Sequence, residues 1–571
     1  MKNYQWIWLS IFFMLLLGIS ACGPGPTPTS EGMAPTVPPA AQPTAADVPS
    51  DEPSVVPSEP VILRIGMTFE PDTFHPFLTG TGWRFLDFIY EGFVGWGLEC
   101  EFTPRLAESI EVSEDGLTNI IHLRPDITYN DGEPFNAYVL EESWDWIKPL
   151  EVSAWFPVIR LTDSYEAVDE LTFRFNTSVP LATWRTYDAV WTWPFPPHIW
   201  GSLDDDTIWG LDNNTNPVGT GPYTLAEWAP GDHLIFDSRP DYYLGKPPID
   251  RVVMQFYGNW DAAINALLGG EIDITDSQIP AQFYDVLKAD PNITIVERPP
   301  AYYYLLAFNV YDGGSKHPAI DDPKVREAID YAIDREQLVN VALMGHGITC
   351  PTNWNCGPLF EWSLDPSITV TPFNLDKANS ILDEAGYLDN DGDGLRETAD
   401  GEPLDFRLYY PADRVPASTM AEYIAEWLSE IGIGTSVEAM ERGTLENVAT
   451  VEHDFDIALR FDAGDPDPTT IDFWWSCWSA EAGTGNASGY CNPEVDDLIY
   501  QQLTALGEEN RLAALFEAER IVASDRPFVM VVAENATQAY RNDRFEFPEN
   551  PCSFFGMCWQ WAPILQAKPI E

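Results

Sequence analysis

The sequence predicts an α/β fold with mixed sheets flanked by helices, because apolar residues recur at helical spacing, capping residues bound those runs, and short alternating apolar segments follow several of them. The first such unit is WDAAINALLGG, which leads into the alternating IDIT. The segment DDPKVREAIDYAIDREQLVNVALMGHG carries two helices. Asp322 caps the first, Pro323 takes its opening position, where a missing N–H costs nothing, and Val325, Ile329, Ala332 and Ile333 share a face. Asp334 and Gln337 form a capping-box pattern ahead of Leu338 and Val341. Asn374 caps a helix through Ile381, Leu382 and Ala385, and Gly386 closes it. MAEYIAEWLSEIG sets Ile424, Trp427, Leu428 and Ile431 on one face before Gly432 and the strand TSVEAM.

The N-terminus has the order of a secretory signal: Lys2, the apolar run IWLSIFFMLLLGI, then small residues. That run is too short to span a membrane comfortably. Ile19, Ser20, Ala21 and Cys22 resemble the close of a bacterial lipoprotein signal, which makes residues 1–22 the signal and Cys22 the lipidation site. An ordinary cleaved signal with a chance cysteine is the other reading. Residues 23–60 are rich in proline and threonine with almost nothing to bury, and predict a disordered, stiff tether. Together they predict an extracytoplasmic protein, periplasmic or at the cell surface, held to the membrane by lipid alone.

The remaining chain is long enough for two to four lobes of about the usual domain size. A net charge of −60 excludes a nucleic-acid partner, whose phosphates need a basic surface, and disfavours an anionic membrane surface. In an oxidising compartment the short spacings pair Cys350 with Cys356, Cys477 with Cys491 and Cys552 with Cys558, leaving Cys100 single. Zinc is the competing use, but no CxxC occurs and no histidine stands at ligand spacing. The chain also lacks GxSxG, HExxH and GxxxxGK[ST], so a non-enzymatic role is expected, with a secreted glycoside hydrolase as the alternative from another class.

Six collinear segments carry a family resemblance: Pro104 to Ala137, Pro217 to Leu225 (PVGTGPYTL), Tyr242 to Val252 (YYLGKPPIDRV), the DPKVREAIDYAIDRE helices, Lys377 to Gly394, and Gly489 to Ile499 (GYCNPEVDDLI). From about Val61 onward the chain resembles the bacterial family 5 extracellular solute-binding proteins, the oligopeptide-, dipeptide- and nickel-binding components of ABC importers. The resemblance implies a periplasmic-binding-protein type II-like fold, bilobal with an extra inserted domain. Lobe I comprises 61–92, 216–300 and 531–571, lobe II is the insertion 93–215, and lobe III is 301–530. It implies a monomer that closes on an oligopeptide or similar small polar solute and delivers it to the permease, with no cofactor required.

The resemblance also picks out the glycine-rich loop with Gly80 and Trp83, and the segment LRFDAGDPDPTTIDFWWSCW, in which Phe461, Asp462, Gly464 and Asp465 face the ligand. Trp474, Trp475 and Tyr490 complete the candidate lining. Peptide-binding relatives often carry an aspartate for the peptide α-ammonium four residues before the proline matching Pro468, where this chain has Gly464, so Asp462 or Asp465 is expected to take the role. The 22 tryptophans keep an oligosaccharide ligand open, since indole stacks on sugar faces. In DNDGDGLRETAD, Asp389, Asp391, Asp393 and Asp400 have the spacing of an EF-type calcium loop, which gives either a structural Ca²⁺ site or a solvated turn.

Overall fold

The computed structural model of the protein describes residues 59–78, 83–97, 101–152, 156–351, 356–357, 360–464, 467–548, 564 and 566–570. The signal, all but the last two tether residues, and Gly80, Cys100, Asp465, Cys552 and Cys558 lie outside them. Val61–Glu571 forms one compact unit. It opens with β1 (Ile62–Met67), β2 (Val94–Trp96) and β3 (Phe102–Pro104). Next come β4 (Ala107–Val112), β5 (Thr118–Leu123), α1 (Ala137–Ile147), β6 (Thr162–Ala167) and β7 (Thr172–Thr177).

Strands β4 to β7 form an antiparallel four-stranded sheet in the order β4-β5-β7-β6. Along β5, Asn119, Ile121 and Leu123 are buried and their neighbours half-buried, the period of two of a sheet covered on one face. Helix α1 supplies the cover. The Asn136 side chain accepts from the N–H groups of Tyr138 and Val139, which starts the helix, and Trp144 then meets Phe173 and Phe175 at 4.9 and 5.3 Å.

The chain continues through β8 (Tyr223–Ala229), β9 (His233–Ser238), β10 (Arg251–Phe256), α2 (Trp260–Gly269), β11 (Ile274–Thr275) and β12 (Ile293–Phe308). Then follow α3 (Pro323–Tyr331), α4 (Arg335–Val341), β13 (Gly347–Thr349), α5 (Leu375–Ala385) and β14 (Asp405–Pro411). The last third holds α6 (Val415–Glu430), β15 (Gly434–Met440), α7 (Arg442–Asn447) and β16 (Ile457–Ala463). It closes with α8 (Pro493–Leu503), α9 (Glu508–Asp525) and β17 (Phe528–Arg541). The caps fall where side-chain chemistry puts them. Asp322, Asp334 and Asn374 accept from Lys324, Gln337 and Lys377, and Gly386 ends α5 at a φ of 90°, which only glycine adopts without strain.

Among the described residues an 11-stranded mixed sheet runs β15-β14-β16-β12-β17-β11-β1-β10-β9-β8, with β13 pairing β17. Its centre is the antiparallel pair β12 and β17, which slips register between Arg298 and Tyr302. Pro299 and Pro300 fall in that gap, and residues without an N–H cannot continue a ladder. Beyond the slip, alternation divides the side chains of β12 between two cores. Tyr302, Tyr304, Leu306 and Phe308 join Phe406, Leu408 and Ile424, while Tyr303, Leu305 and Ala307 join Val495, Ile499 and Leu515. The lobe boundaries expected at 300/301 and 530/531 thus fall inside β12 and β17. Two disulfides, Cys350–Cys356 and Cys477–Cys491, are formed. Among the described residues no helix is long and apolar enough to cross a membrane.

Candidate ligand-binding site

Alternation along β16 sends Arg460 and Asp462 to one face of the sheet and Phe461 to the other. Arg460 is 5% exposed. Its Nε and Nη2 donate to the two carboxylate oxygens of Asp462, each at 3.1 Å, and Nη2 also donates to Glu446 Oε1 at 3.2 Å. Burial works against the guanidinium charge, but the carboxylates of Asp462 and Glu446 outweigh it and hold the pKa above its ordinary value. The Trp474 ring lies 5.7 Å from the guanidinium carbon.

On the opposite face Phe461 lies parallel to Tyr302 at 5.5 Å and tilted against Tyr304 at 4.9 Å. Arg414, at the start of α6, lays its guanidinium 4.1 Å over the Phe461 ring and donates from Nη1 to Gln278 Oε1 at 3.3 Å. The Tyr304 hydroxyl donates to Glu534 Oε2 at 3.3 Å. Burial pushes the Glu534 carboxyl up, against the pull of Arg414 and that hydrogen bond.

Two recesses flank Arg460. The first is bounded by Asp413, Arg414, Arg442, Glu446, Arg460 and Phe461. The second lies among Tyr303, Asp462, Trp474, Trp475, Ser488 and Phe528. Each joins charged anchors to aromatic walls, the make-up of a small-solute pocket.

Of the residues expected from sequence, Phe461, Asp462, Trp474 and Trp475 line these recesses. Gly464 is buried directly after β16, and Trp83 opens the short helix Trp83–Leu86. Three expectations need correction. Asp462 is no vacant ammonium anchor, because Arg460 occupies both its oxygens. Tyr490 lines neither recess; it is 8% exposed and its hydroxyl donates to Asp525 Oδ2 at 2.6 Å. In the acidic loop, Asp389, Asp391 and Asp393 group with Glu397, not Asp400, their ligand oxygens within 4.8 Å of one another. Bridges from Glu397 to Leu388 and Pro403 turn its carboxylate onto the Asn390 N–H at 2.9 Å, while Asp400 falls in the Thr398–Gly401 turn. Such an all-oxygen set suits a hard cation such as calcium. Sequence reasoning missed Arg414, Arg442, Arg460 and Gln278. Only Arg460 carried a signal, a lone charge inside the apolar strand IALRF.

The family model described as bacterial extracellular solute-binding proteins, family 5 Middle, matches residues 101–484. The chain therefore belongs to the family 5 extracellular solute-binding proteins, the solute-capturing components of ABC importers. Protein XP55 of Streptomyces lividans is 29% identical over 479 residues, covering 81% of this chain and 81% of that protein. A glutathione-binding protein of Pectobacterium atrosepticum is 25% identical over 473 residues, covering 79% of this chain and 84% of its own length. The crystal structure of an oligopeptide-binding protein of Thermotoga maritima shares the fold, with a TM-score of 0.77 and 22% identity over 89% of this chain and 99% of its own.

Proposed function

We propose that the protein captures oligopeptides at the recesses around Arg460 and delivers them unchanged to an ABC permease. Cys22 carries a lipid that keeps the protein, a monomer, at the outer face of the membrane. The observation that carries this reading is the arrangement around β16, where arginines and carboxylates stand against Phe461 and Trp474: polar anchors for a solute's ends and apolar walls for its body. Lobe I (61–92, 216–300, 531–571) and lobe III (301–530) hinge about β12 and β17 where the prolines interrupt the ladder, with lobe II (93–215) as an insertion. Solute touching both lobes favours the closed form, and the permease recognises that form. A relative named as glutathione-binding, glutathione being itself a peptide, supports a peptide ligand.

Mass spectrometry of material released by mild denaturation, followed by thermal-shift screening of di- to hexapeptides, oligosaccharides and Ni²⁺, tests the reading. A solute bound only by the native state raises the melting temperature by mass action. Peptide capture fails if no peptide shifts the transition while a saccharide or Ni²⁺ does. An oligosaccharide is the second reading, favoured by Trp474 and Trp475 along one wall of the second recess.

A further inference from the structure

Outside the two recesses, the sheet of β4 to β7 and the segment that follows it meet the turn between α8 and α9. The N–H of Ala182 donates to the carbonyl of Leu503, the last residue of α8, at 3.0 Å. Gly116, in the turn between β4 and β5 at a φ of 72°, comes so close that a Cβ there would lie 2.7 Å from Leu506 Cδ2 and 2.8 Å from Pro180 Cβ. Leu506 nonetheless stays 47% exposed, so this part of the contact buries little apolar area.

Behind the contact stand two carboxylates and one guanidinium. Arg511, in α9, donates from Nη1 to Asp467 Oδ2 at 2.9 Å, from Nη2 to Asp467 Oδ1, and from Nε to Gln502 Oε1 at 3.1 Å, and all three residues are buried. Asp188, from the segment after β7, accepts from the Thr183 hydroxyl through Oδ2 and makes no ion pair among the described residues. Arg511 is thus committed to Asp467, and an ionised Asp188 is a second negative charge facing one positive charge.

Burial pushes the Asp188 carboxyl up to about 6, against the Thr183 hydrogen bond, with the charge of Asp467 adding to the rise and that of Arg511 opposing it. The other neighbours leave that balance alone. Strand β2 brings no titratable side chain, and the short helix Pro157–Arg160 brings Arg160, whose charge does not act on Asp188. Arg185, Glu508 and Glu509 are exposed, and the carboxylates of α8, Glu494, Asp496 and Asp497, stand at its far, N-terminal end. Because the pKa is raised in the contact, the contact is strongest below about pH 4 and weakens as pH rises through 6.

We propose that this contact is an acid-strengthened clasp between lobe II and lobe III: loss of the negative charge on Asp188 closes it, so that the closed, solute-holding form is favoured in acid. The clasp rests on the reading that lobe III swings relative to lobes I and II, and it makes a proton a second signal for closure beside the solute.

Small-angle X-ray scattering of the solute-free protein at pH 5 and pH 7 provides the test, since the closing equilibrium should shift by up to roughly tenfold between them. The wild type is expected to be more compact at pH 5. Asp188→Asn, neutral at both, should be compact at both. Leu506→Asp, at an exposed position where folding is not at stake, should be more extended than the wild type at both. Equal compactness of the wild type at the two pH values overturns the clasp while solute capture stands, as does a pH dependence that survives in Asp188→Asn or a Leu506→Asp protein as compact as the wild type. Calorimetric titration with trialanine adds a second readout. Tighter binding by the wild type at pH 5, absent in Asp188→Asn, supports the clasp, and equal binding at both pH values overturns it. Compaction that depends on Asp188 in a protein that binds no trialanine supports the clasp and counts against peptide capture alone.

Discussion

Arg460 grips Asp462 at two points, Nε and Nη2 each lying 3.1 Å from a different carboxylate oxygen, in a position where the arginine is 5% and the aspartate side chain 11% exposed. Removing one charge of a buried pair leaves the other desolvated and undercompensated, at a cost of about 3–5 kcal/mol. Glu446 stays beside Arg460 and keeps the loss toward the low end. Asp462→Asn should therefore lower stability by about 3 kcal/mol in urea unfolding followed by circular dichroism. An unchanged midpoint would show that the grip contributes nothing to the fold.

The acidic groups give a second prediction, on pH. Burial raises the Glu519 carboxyl to about 8, with the neighbouring charge of Asp365 adding to the shift, although Asp365 donates its N–H to Glu519 Oε2 at 2.6 Å. Burial likewise raises Glu91 to about 7 and Asp188 to about 6. Each folded-state pKa exceeds its unfolded value, so the native state binds more protons between the two. Stability is then full below about pH 4.5 and falls as pH rises through 8, by up to about 1.4 kcal/mol per unit per group. Unfolding at pH 5 and pH 8 should show greater stability at pH 5, and Glu519→Gln should flatten the dependence. Greater wild-type stability at pH 8 would contradict it.

Local chemistry made much of the fold legible in the sequence. Asp322, Asp334 and Asn374 cap helices because short polar side chains reach the free N–H groups of the first turn, an interaction confined to neighbouring residues. The Pro299–Pro300 interruption of β12 was equally present in the sequence, yet its meaning depends on pairing with β17 more than two hundred residues away. The site divides the same way. Phe461 and Asp462 were found because they share a strand with a recognisable segment. Arg414 and Gln278 were not, because they meet each other, and Arg414 meets Phe461, only after α6, β16 and the loop beyond β11 are brought together in space. Asp462 was assigned the wrong partner because strand alternation alone does not say that Arg460, two residues back, already holds it.

Tyr490 separates stability from binding. Its hydroxyl donates to Asp525 at 2.6 Å while the ring sits in a core with Val495 and Leu515. A hydrogen bond to a charged partner contributes about 1.5–3 kcal/mol, so Tyr490→Phe should destabilise by about 2 kcal/mol and leave solute affinity unchanged in calorimetry. A clear loss of affinity at constant stability would instead return Tyr490 to the ligand-binding surface.

The two disulfides should differ in what their loss does. Cys477–Cys491 closes a loop with a sequence separation of 14, and such a loop restrains the unfolded chain by about 3 kcal/mol, against about 2 for the separation of 6 between Cys350 and Cys356. The larger loop also contains Gly485, Ala487 and Ser488, which line the second recess, and Asn486 ties it shut by donating to the carbonyls of Ser476 and Tyr490 at 3.1 and 2.7 Å. Freeing Cys477 from Cys491 therefore loosens one wall of the site as well as the fold. The double variant Cys477→Ser with Cys491→Ser is expected to bind whichever solute the thermal screen identifies several-fold more weakly, whereas Cys350→Ser with Cys356→Ser loses stability with little change in affinity. Equal affinities in the two variants would mean that the hydrogen bonds of Asn486 alone suffice to hold the wall.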